Sequence, residues 1–287
     1  MAVVINSNIS SLTASRILTS NRSELEQAME RLASGKRINS ADDDAAGMAV
    51  AAKMRADIRS LNQAVRNAND AISLVNTYDG AAAEVESILI RMRELAVQAK
   101  TGTYTTSDIA NADFEYDALK TEIVRIAATT TFNRLNIAGA SGTTGGTGSG
   151  ANVQTFFVGA DVARTGNSIV FSGESLNINM TVSGSDLKSV STVALATSAV
   201  AALDDALTTL AVDRAKAGAM VNRLEYTVAN LMNVSQRARE AVSGIEDTDY
   251  AAESANLAKG MILQQAGTAM LAQANQSPQY VLLLLKS

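Results

Sequence analysis

The chain has 287 residues, and its 24 basic against 29 acidic residues give a formal net charge of −5. This mild acidity argues against a nucleic-acid-binding protein, which normally carries a basic stripe. Because Cys and His are both absent, the sequence excludes disulfides, thiol nucleophiles, imidazole chemistry and Cys/His metal sites. Carboxylate-only sites and Ser–Lys pairs remain open. A single Pro and only 4% aromatic residues favour long, closely packed helices over a thick globular core.

Neither end of the chain resembles a targeting or membrane-spanning segment. The longest strictly apolar run at either end is five residues, 281–285, whereas a membrane span needs about 20. Residues 1–9 lack the basic segment and the long apolar stretch of a secretory signal peptide. We therefore expect no membrane insertion, and either an intracellular protein or export by a route that reads another signal.

The chain begins with a segment that we expect to be helical and amphipathic. Gly35 suits the C-cap of this helix, and residues 36–44 indicate a polar connection. The acidic run 42–44 at the start of the next helix favours solvation and the helix dipole over a metal site. The apolar residues predicted to share one face of the first helix are Ile5, Ile9, Leu12 and Ile17.

A much longer helix is predicted from Ala45 to Lys100. Between Ile58 and Val75 its apolar residues recur at steps of 3 and 4, which is a heptad seam. At about 1.5 Å per residue such a helix would be roughly 80 Å long. Gly102 is expected to end it, and Ser107 is expected to cap a shorter helix that follows.

The middle zone, 139–188, is rich in Gly, Ser and Thr and predicts a small β excursion. We expect β-like segments at 153–158, 168–171 and 176–182, separated by glycines. Residues 141–150 are too rich in Gly for a packed element, and they lack the Lys of a phosphate-binding loop.

The helical pattern returns at about residue 190. Apolar residues step by 3 and 4 from Val200 to Ile245, interrupted only by Arg214 and Ser235. The cluster 247–249 suits a cap for a last helix, which Pro278 is expected to stop. The apolar positions of that helix and of the tail after it are Leu257, Met261, Ile262, Ala266, Ala269, Met270, Ala274, Leu282, Leu283 and Leu285.

These patterns predict a mainly α fold: a long antiparallel helical bundle or coiled coil formed by both chain arms, with a small central β-hairpin region. The predicted domains are a terminal coiled coil (1–44 with 246–287), a helical bundle (45–138 with 189–245) and the β excursion (139–188). Both ends carry apolar stripes without a partner in the small middle, and isolated helices are marginal in water. We therefore expect the ends to pair with each other and with neighbouring copies.

Three stretches carry a specific resemblance to a known family. Residues 31–47 read RLASGKRINSADDDAAG, residues 58–76 read IRSLNQAVRNANDAISLVN, and residues 245–286 read IEDTDYAAESANLAKGMILQQAGTAMLAQANQSPQYVLLLLK. Together they resemble bacterial flagellin, the subunit of the flagellar filament, in a short form with a minimal central region. Residues 155–171, TFFVGADVARTGNSIVF, resemble the β-hairpin that follows the N-terminal arm of flagellins.

The resemblance implies a structural subunit, not an enzyme and without a cofactor or metal, that self-assembles into the filament used for swimming. It implies that the termini line an inner tube and that the bundle forms the next shell. The implied partners are further copies of the chain, the flagellar export apparatus, an export chaperone, the filament cap and the hook-junction proteins. The implied location is extracellular, after unfolded export through the flagellar type III channel without a cleaved signal peptide.

Two groups of site residues follow from the resemblance. Residues 89–98, LIRMRELAVQ, resemble the segment that flagellins present to the host toll-like receptor for flagellin, and Arg91, Leu95 and Glu115 match its contacting positions. We expect this segment to be exposed in the monomer and buried in the filament. The residues expected to drive assembly are Ile5, Ile9, Leu12, Leu257, Met261, Ile262, Met270, Leu282, Leu283 and Leu285.

Several alternatives remain open at this point. A hook–filament junction protein shares the terminal architecture. A zinc protease needs a His-Glu-x-x-His pair that this chain lacks, and a carboxylate-only hydrolase lacks an evident cleft-forming domain. A membrane-active amphipathic protein would normally show a basic polar face. The Ser/Thr-rich stretches 129–131 and 141–149 could accept O-linked glycans.

Overall fold

The computed structural model describes residues 8–138, 153–159, 166–172 and 189–286, and within them the protein is mainly α-helical. The predicted fold class is confirmed. The helices are α1 (Ile9–Ser34), α2 (Ala45–Lys100), α3 (Thr106–Thr129), α4 (Val193–Glu246) and α5 (Tyr250–Lys286). The strands form two antiparallel pairs, β1 (Thr131–Phe132) with β2 (Leu135–Asn136) and β3 (Val153–Phe157) with β4 (Ser168–Ser172). The β-like segment predicted at 176–182 and the Gly-rich stretch 141–150 lie outside the described residues.

The chain divides into two compact units. Met1–Ala56 and Arg237–Ser287 form the first, which we call the terminal unit, and Asp57–Gln236 form the second, the bundle unit. Helices α2 and α4 each contribute residues to both units.

The bundle unit buries its apolar residues along α2, α3 and α4. The predicted seams of α2 and α4 are confirmed, because every apolar position of both series is buried or partly buried. One core cluster includes Leu89 and Leu203, a second includes Leu61 and Leu224, and Tyr78 is among the largest fully buried side chains. Burial of apolar area is worth about 25 cal/mol per Å², so these seams hold the unit together.

Two polar residues stand on the α4 seam among these apolar positions. Arg214 Nε donates to Asp79 Oδ1 at 2.8 Å, and the same guanidinium donates to Glu86. Ser235 Oγ donates to Asn62 Oδ1 at 3.2 Å. All three acceptors lie on α2, and polar residues within a helical seam specify its register. These bonds therefore fix α4 against α2.

The ends of the helices mostly follow the local signals in the sequence. The predicted C-cap of α1 is confirmed, because Gly35 adopts the left-handed conformation with φ of 70°. The predicted cap of α5 is also confirmed, since Asp249 Oδ1 accepts the Ala251 N–H at 2.9 Å. Asp44 Oδ1 accepts the Gly47 N–H at 2.8 Å and so caps α2. The acidic run thereby binds backbone amides at a helix start.

The predicted cap of α3 is wrong by two residues. Thr105, rather than Ser107, is the N-cap: its Oγ1 accepts the Asp108 N–H at 3.3 Å, and Asp108 Oδ2 accepts the Thr105 N–H at 3.1 Å. This reciprocal capping box needs an acidic or amide side chain three residues after the cap. Ser107 is followed at that spacing by Ala110, which cannot complete it.

The expectation that Pro278 stops the last helix is also wrong, because α5 continues to Lys286. Pro278 has no backbone N–H, so the carbonyl of Ala274 lacks its usual donor four residues later. Asn8 Nδ2 donates to that carbonyl at 2.8 Å. A side chain of the other terminus therefore satisfies the acceptor that Pro278 leaves open.

A tight hairpin joins β1 to β2. Its central residues Asn133 and Arg134 have φ of 49° and 67°, and two positive φ values define a type I′ turn. Asn136 Nδ2 donates to the carbonyls of Ala127 and Ala128 at 3.0 and 2.8 Å. The hairpin thereby satisfies carbonyls at the C-terminal end of α3.

Candidate assembly surface

Helices α1 and α5 of the terminal unit pack against each other as an antiparallel pair. Leu18 lies over Gly267 and Leu25 lies over Gly260: a Cβ added to either glycine would come within 2.8 and 2.9 Å of the respective leucine Cδ1. Knobs of one helix thus sit on positions of the other that have no side chain. A larger residue at either position would force the leucine Cδ1 to shift.

The seam of this helix pair consists mainly of small or polar residues. On α1 the buried or partly buried positions include Ser11, Ala14, Leu18, Asn21, Leu25 and Ala28. On α5 they are Glu253, Leu257, Gly260, Gln264, Gly267, Leu271 and Ala274. The α5 positions follow heptad steps, and the Gly, Ala and Gln between the seam leucines bury little apolar surface. The seam therefore leaves the Ile and Met side chains of both helices without cover inside the pair.

The Ile and Met side chains of the two helices, and two of their leucines, are exposed instead of lying in the seam. Ile9 is 64% exposed, Leu12 68%, Ile262 65% and Met270 65%. Further exposed apolar residues on these two helices are Ile17, Met29, Met261 and Leu263. Exposed large apolar side chains that gather on one pair of helices mark a candidate interaction site. The outward faces of α1 and α5, which we call the terminal apolar surface, are the candidate site.

Each predicted assembly residue can now be placed. Ile9, Leu12, Met261, Ile262 and Met270 lie on the terminal apolar surface. The side chain of Leu257 is instead partly buried in the seam. Ile5 lies outside the described residues, and Leu282, Leu283 and Leu285 lie within α5 at positions where only the backbone is described.

Met29 and Leu263 also belong to this surface, although the sequence patterns did not assign them to it. The patterns also did not show which side of each helix faces the partner helix. The available signal was the spacing of Gly260 and Gly267, which are one heptad apart and permit close helix contact.

Polar bonds hold the end of the terminal unit where α1 and α5 connect to their neighbours in the chain. Thr248 N–H donates to the Gly35 carbonyl at 3.1 Å. The carboxylate of Glu246 is buried and paired with Arg55 at 3.1 Å and Lys36 at 3.6 Å. A buried carboxylate needs such partners, so these contacts tie the two chain arms together at this end.

Asp43 organises the connection between α1 and α2. Its Oδ2 accepts the backbone N–H groups of Ser40 and Asn39, both at 3.0 Å, and Gln27 Nε2 donates to Oδ1 at 2.7 Å. Hydrogen bonds to the ionised form, the Ser40 amide first, hold the pKa of Asp43 well below its usual range. Among the described residues, no group of three or more Asp and Glu side chains could hold a metal ion.

The segment that resembles the receptor-binding region of flagellins lies in the bundle unit. Arg91 on α2 pairs with Glu115 on α3 at 2.8 Å and with Glu94 at 3.0 Å, and these exposed partners raise the pKa of Arg91, the Glu115 hydrogen bond first. The expectation that Leu95 is exposed in the monomer is wrong, since it is 2% exposed. Leu95 lies one helical turn after Met92 on the buried face of α2.

Among the described residues, helix α4 is long and apolar enough to cross a membrane by length and composition alone. Its residues Leu203, Leu210 and Ala217 are buried in the core of the bundle unit, so its apolar positions serve helix packing. The patterns at the chain ends did not indicate this internal stretch.

Family models match both helical arms of the chain. Residues 5–141 match the bacterial flagellin N-terminal helical region, and residues 200–285 match the bacterial flagellin C-terminal helical region. Flagellins are structural proteins, so this match removes the enzyme alternative.

Full-length relatives agree with the family models. A flagellin of Halalkalibacterium halodurans is 41% identical over 99% of this chain and 100% of its own length. The flagellar filament 30.7 kDa core protein of Treponema maltophilum is 38% identical over the same shares. A putative flagellar hook-associated protein of Vibrio parahaemolyticus is similar in fold alone, with a TM-score of 0.55 and 13% identity over 71% of this chain and 100% of that one.

These relatives favour a filament subunit over a junction protein, since the filament proteins match at high identity along their whole length. Flagellin homologues form the extracellular flagellar filament. The chain belongs to the bacterial flagellin family and is a structural subunit of the flagellar filament.

Proposed function

We propose that the terminal apolar surface drives filament assembly by being buried between neighbouring copies in the inner layer of the filament. The observation that carries this proposal is the inverted packing of α1 and α5, with small residues in the seam and Ile9, Leu12, Ile262 and Met270 outside. A contact between different faces of identical copies that does not close generates an open helical filament. Ile5, Leu282, Leu283 and Leu285 are proposed to take part in the same assembly contacts.

Two features of the terminal unit support this assignment. Between its leucines the seam buries little apolar area, and isolated helices are marginal in water. The exposed apolar side chains occur on both helices of the pair. Neighbouring copies supply the missing burial, so that the terminal helices become ordered as a subunit joins the filament.

The test is the critical concentration for polymerisation under salting-out conditions, which strengthen apolar burial. The variant Ile262→Ser/Met270→Ser should raise the critical concentration at least tenfold. The matched control Gln265→Ser changes an exposed polar residue of the same helix and should change it less than twofold. An unchanged critical concentration in the double variant would contradict the proposed surface.

The proposed route to the filament is unfolded export through the flagellar type III channel. A chain without Cys forms no disulfide that would obstruct threading. The export apparatus, an export chaperone, the filament cap and the hook-junction proteins are the proposed partners.

Blocking the export channel should retain the chain inside the cell. The intact mass of filament protein should show that no signal peptide has been cleaved. A mass above that of the unmodified chain would reveal glycans.

The bundle unit is proposed to be recognised by the host toll-like receptor for flagellin through the surface that contains Arg91 and Glu115. Both side chains are about half exposed, at 50% and 46%, and Leu95 supports them from the buried side of α2. Receptor-reporter assays of monomer should show weaker signalling for Arg91→Ala and Glu115→Ala. The control Arg125→Ala removes a pair on α3, with Glu122, that is also exposed. Equal signalling by all of these variants would remove this proposal.

A further inference from the structure

We infer that Asn8 and Pro278 together set the register in which α1 and α5 pair. The carbonyl of Ala274 lacks its helical donor because Pro278 has no N–H, and Asn8 Nδ2 donates to it at 2.8 Å. The inference rests on the proposed function, since this helix pair presents the terminal apolar surface.

Asn8 makes both of its bonds in only one orientation of its amide. Its Oδ1 accepts the Ser11 N–H at 3.1 Å and so caps α1, while its Nδ2 faces the Ala274 carbonyl. A flipped amide would place oxygen against oxygen and N–H against N–H. The residue therefore joins the start of α1 to one acceptor of α5. Ser11 Oγ adds a bond to Asn275 Oδ1 at 2.7 Å at the same level.

Leucine-over-glycine packing specifies this register weakly, and the Thr248–Gly35 bond holds only the opposite end of the pair. Leu18 and Leu25 are one heptad apart, as are the glycines beneath them, Gly267 and Gly260. If α1 slipped by one heptad, Leu25 would meet Gly267 and Leu18 would meet Ala274, which is also small. In that register Asn8 would face a carbonyl that already accepts a helical N–H. A polar contact that only one register satisfies is how helical pairs specify their alignment.

A double-mutant cycle tests the link between the two residues. Asn8→Ala should raise the critical concentration more than tenfold, because it loses the bond to Ala274, which corresponds to about tenfold, and also the cap of α1. Pro278→Ala restores the N–H that bonds Ala274 within α5, so only the loss of the cap remains and the increase caused by Asn8→Ala should be at least threefold smaller in that background. The same increase in both backgrounds would overturn the inference.

Asn8→Asp separates the cap from the register contact. The carboxylate keeps the acceptor for the Ser11 N–H and loses the donor to Ala274, so we expect it to raise the critical concentration about tenfold, but less than Asn8→Ala does. Wild-type polymerisation by Asn8→Asp would mean that Asn8 only caps α1, and it would overturn the inference. Circular dichroism of each variant should show an unchanged helical bundle unit.

Disulfide crosslinking of introduced cysteine pairs reports the register directly, because the chain has no Cys of its own. The pair Leu18→Cys/Gly267→Cys should crosslink in the register observed here, and Leu25→Cys/Gly267→Cys should crosslink only after a slip of one heptad. Because the Thr248–Gly35 bond persists, we expect Asn8→Ala to shift part of the population, lowering the yield of the first crosslink and raising that of the second. Unchanged yields of both crosslinks would contradict the inference. A wild-type chain that never polymerises contradicts the proposed function instead, and the crosslinks still report the register.

Discussion

The two units of this flagellin share one helical periodicity but differ in which side chains it buries. In the bundle unit the heptad positions carry Leu, Val and Tyr, which are fully buried at Leu89, Leu224 and Tyr78. In the terminal unit the seam of α1 and α5 alternates leucines with Ala, Gly, Asn and Gln, and the Ile and Met side chains lie outside. Heptad spacing thus decides where helices meet. The size of the residues at those positions decides whether the contact is sufficient within one chain.

The largest expected effect is a loss of polymerisation that leaves the bundle unit folded. Deletion of residues 280–287 removes an apolar stretch of the sequence, and we expect it to abolish polymerisation because the proposed function assigns Leu282, Leu283 and Leu285 to assembly. The bundle unit should stay helical by circular dichroism, since all of its residues remain. Normal filaments from the truncated chain would show that the tail does not contribute to the inner layer.

A substitution in the bundle unit should have the reverse pattern. Leu224 is fully buried, and Leu224→Ala should lower the free energy of unfolding by about 2–5 kcal/mol through lost burial and a cavity. Ile262→Ala on the exposed face of α5 should change that free energy by less than about 0.5 kcal/mol and should weaken polymerisation instead. Urea titration of the monomer measures the first quantity. Similar stability losses for both variants would contradict the distinction between the units.

Acid should affect the terminal unit through Asp43. Its pKa is lowered in the folded chain, first by the Ser40 amide, so its stabilising contribution is present above the unfolded value of about 4 and is lost as the pH falls below it. Asp43→Asn should therefore destabilise filaments at pH 6 and make their loss of stability between pH 5 and pH 3 shallower. Filament melting measured across this range is the readout, and parallel pH profiles for both proteins would argue against the assigned role.

The smallest expected effect is a gain in the stability of the bundle unit. Arg134 adopts a left-handed conformation with φ of 67°, which strains a residue that has a Cβ. Arg134→Gly should raise the free energy of unfolding of the bundle unit by about 0.5–1 kcal/mol. Asn133→Gly should gain less because Asn tolerates this conformation better. Urea midpoints distinguish the two, and a loss of stability in Arg134→Gly would mean that the arginine side chain contributes more than the strain costs.

The local rules of helices account for most of what the sequence predicted correctly. Heptad steps located both seams, and Gly35 and Asp249 marked helix ends, because each signal acts over a few residues. Thr105 was missed although the acid at Asp108 was visible. The continuation of α5 through Pro278 depends on Asn8, which is 266 residues from the acceptor Ala274, and no local pattern contains that contact.

The candidate site also combines features that the sequence predicted with features that it did not. Apolar periodicity indicated Ile9, Leu12 and Ile262 as a surface in need of a partner, and they are exposed. Resemblance to a receptor-binding segment carried no information about burial, so Leu95 was placed at the surface although α2 turns it inward. Which face of α1 meets α5 depends on the fit of leucines over glycines, and this fit involves both ends of the chain.

Peroxide footprinting of methionines tests the central claim most directly. Met261 and Met270 are 53% and 65% exposed in the chain, whereas Met92 is fully buried, and oxidation to the sulfoxide follows exposure. In monomer we expect the first two to oxidise rapidly and Met92 slowly. In filaments we expect all three to be protected. Undiminished oxidation of Met261 and Met270 in intact filaments would contradict their burial between neighbouring subunits.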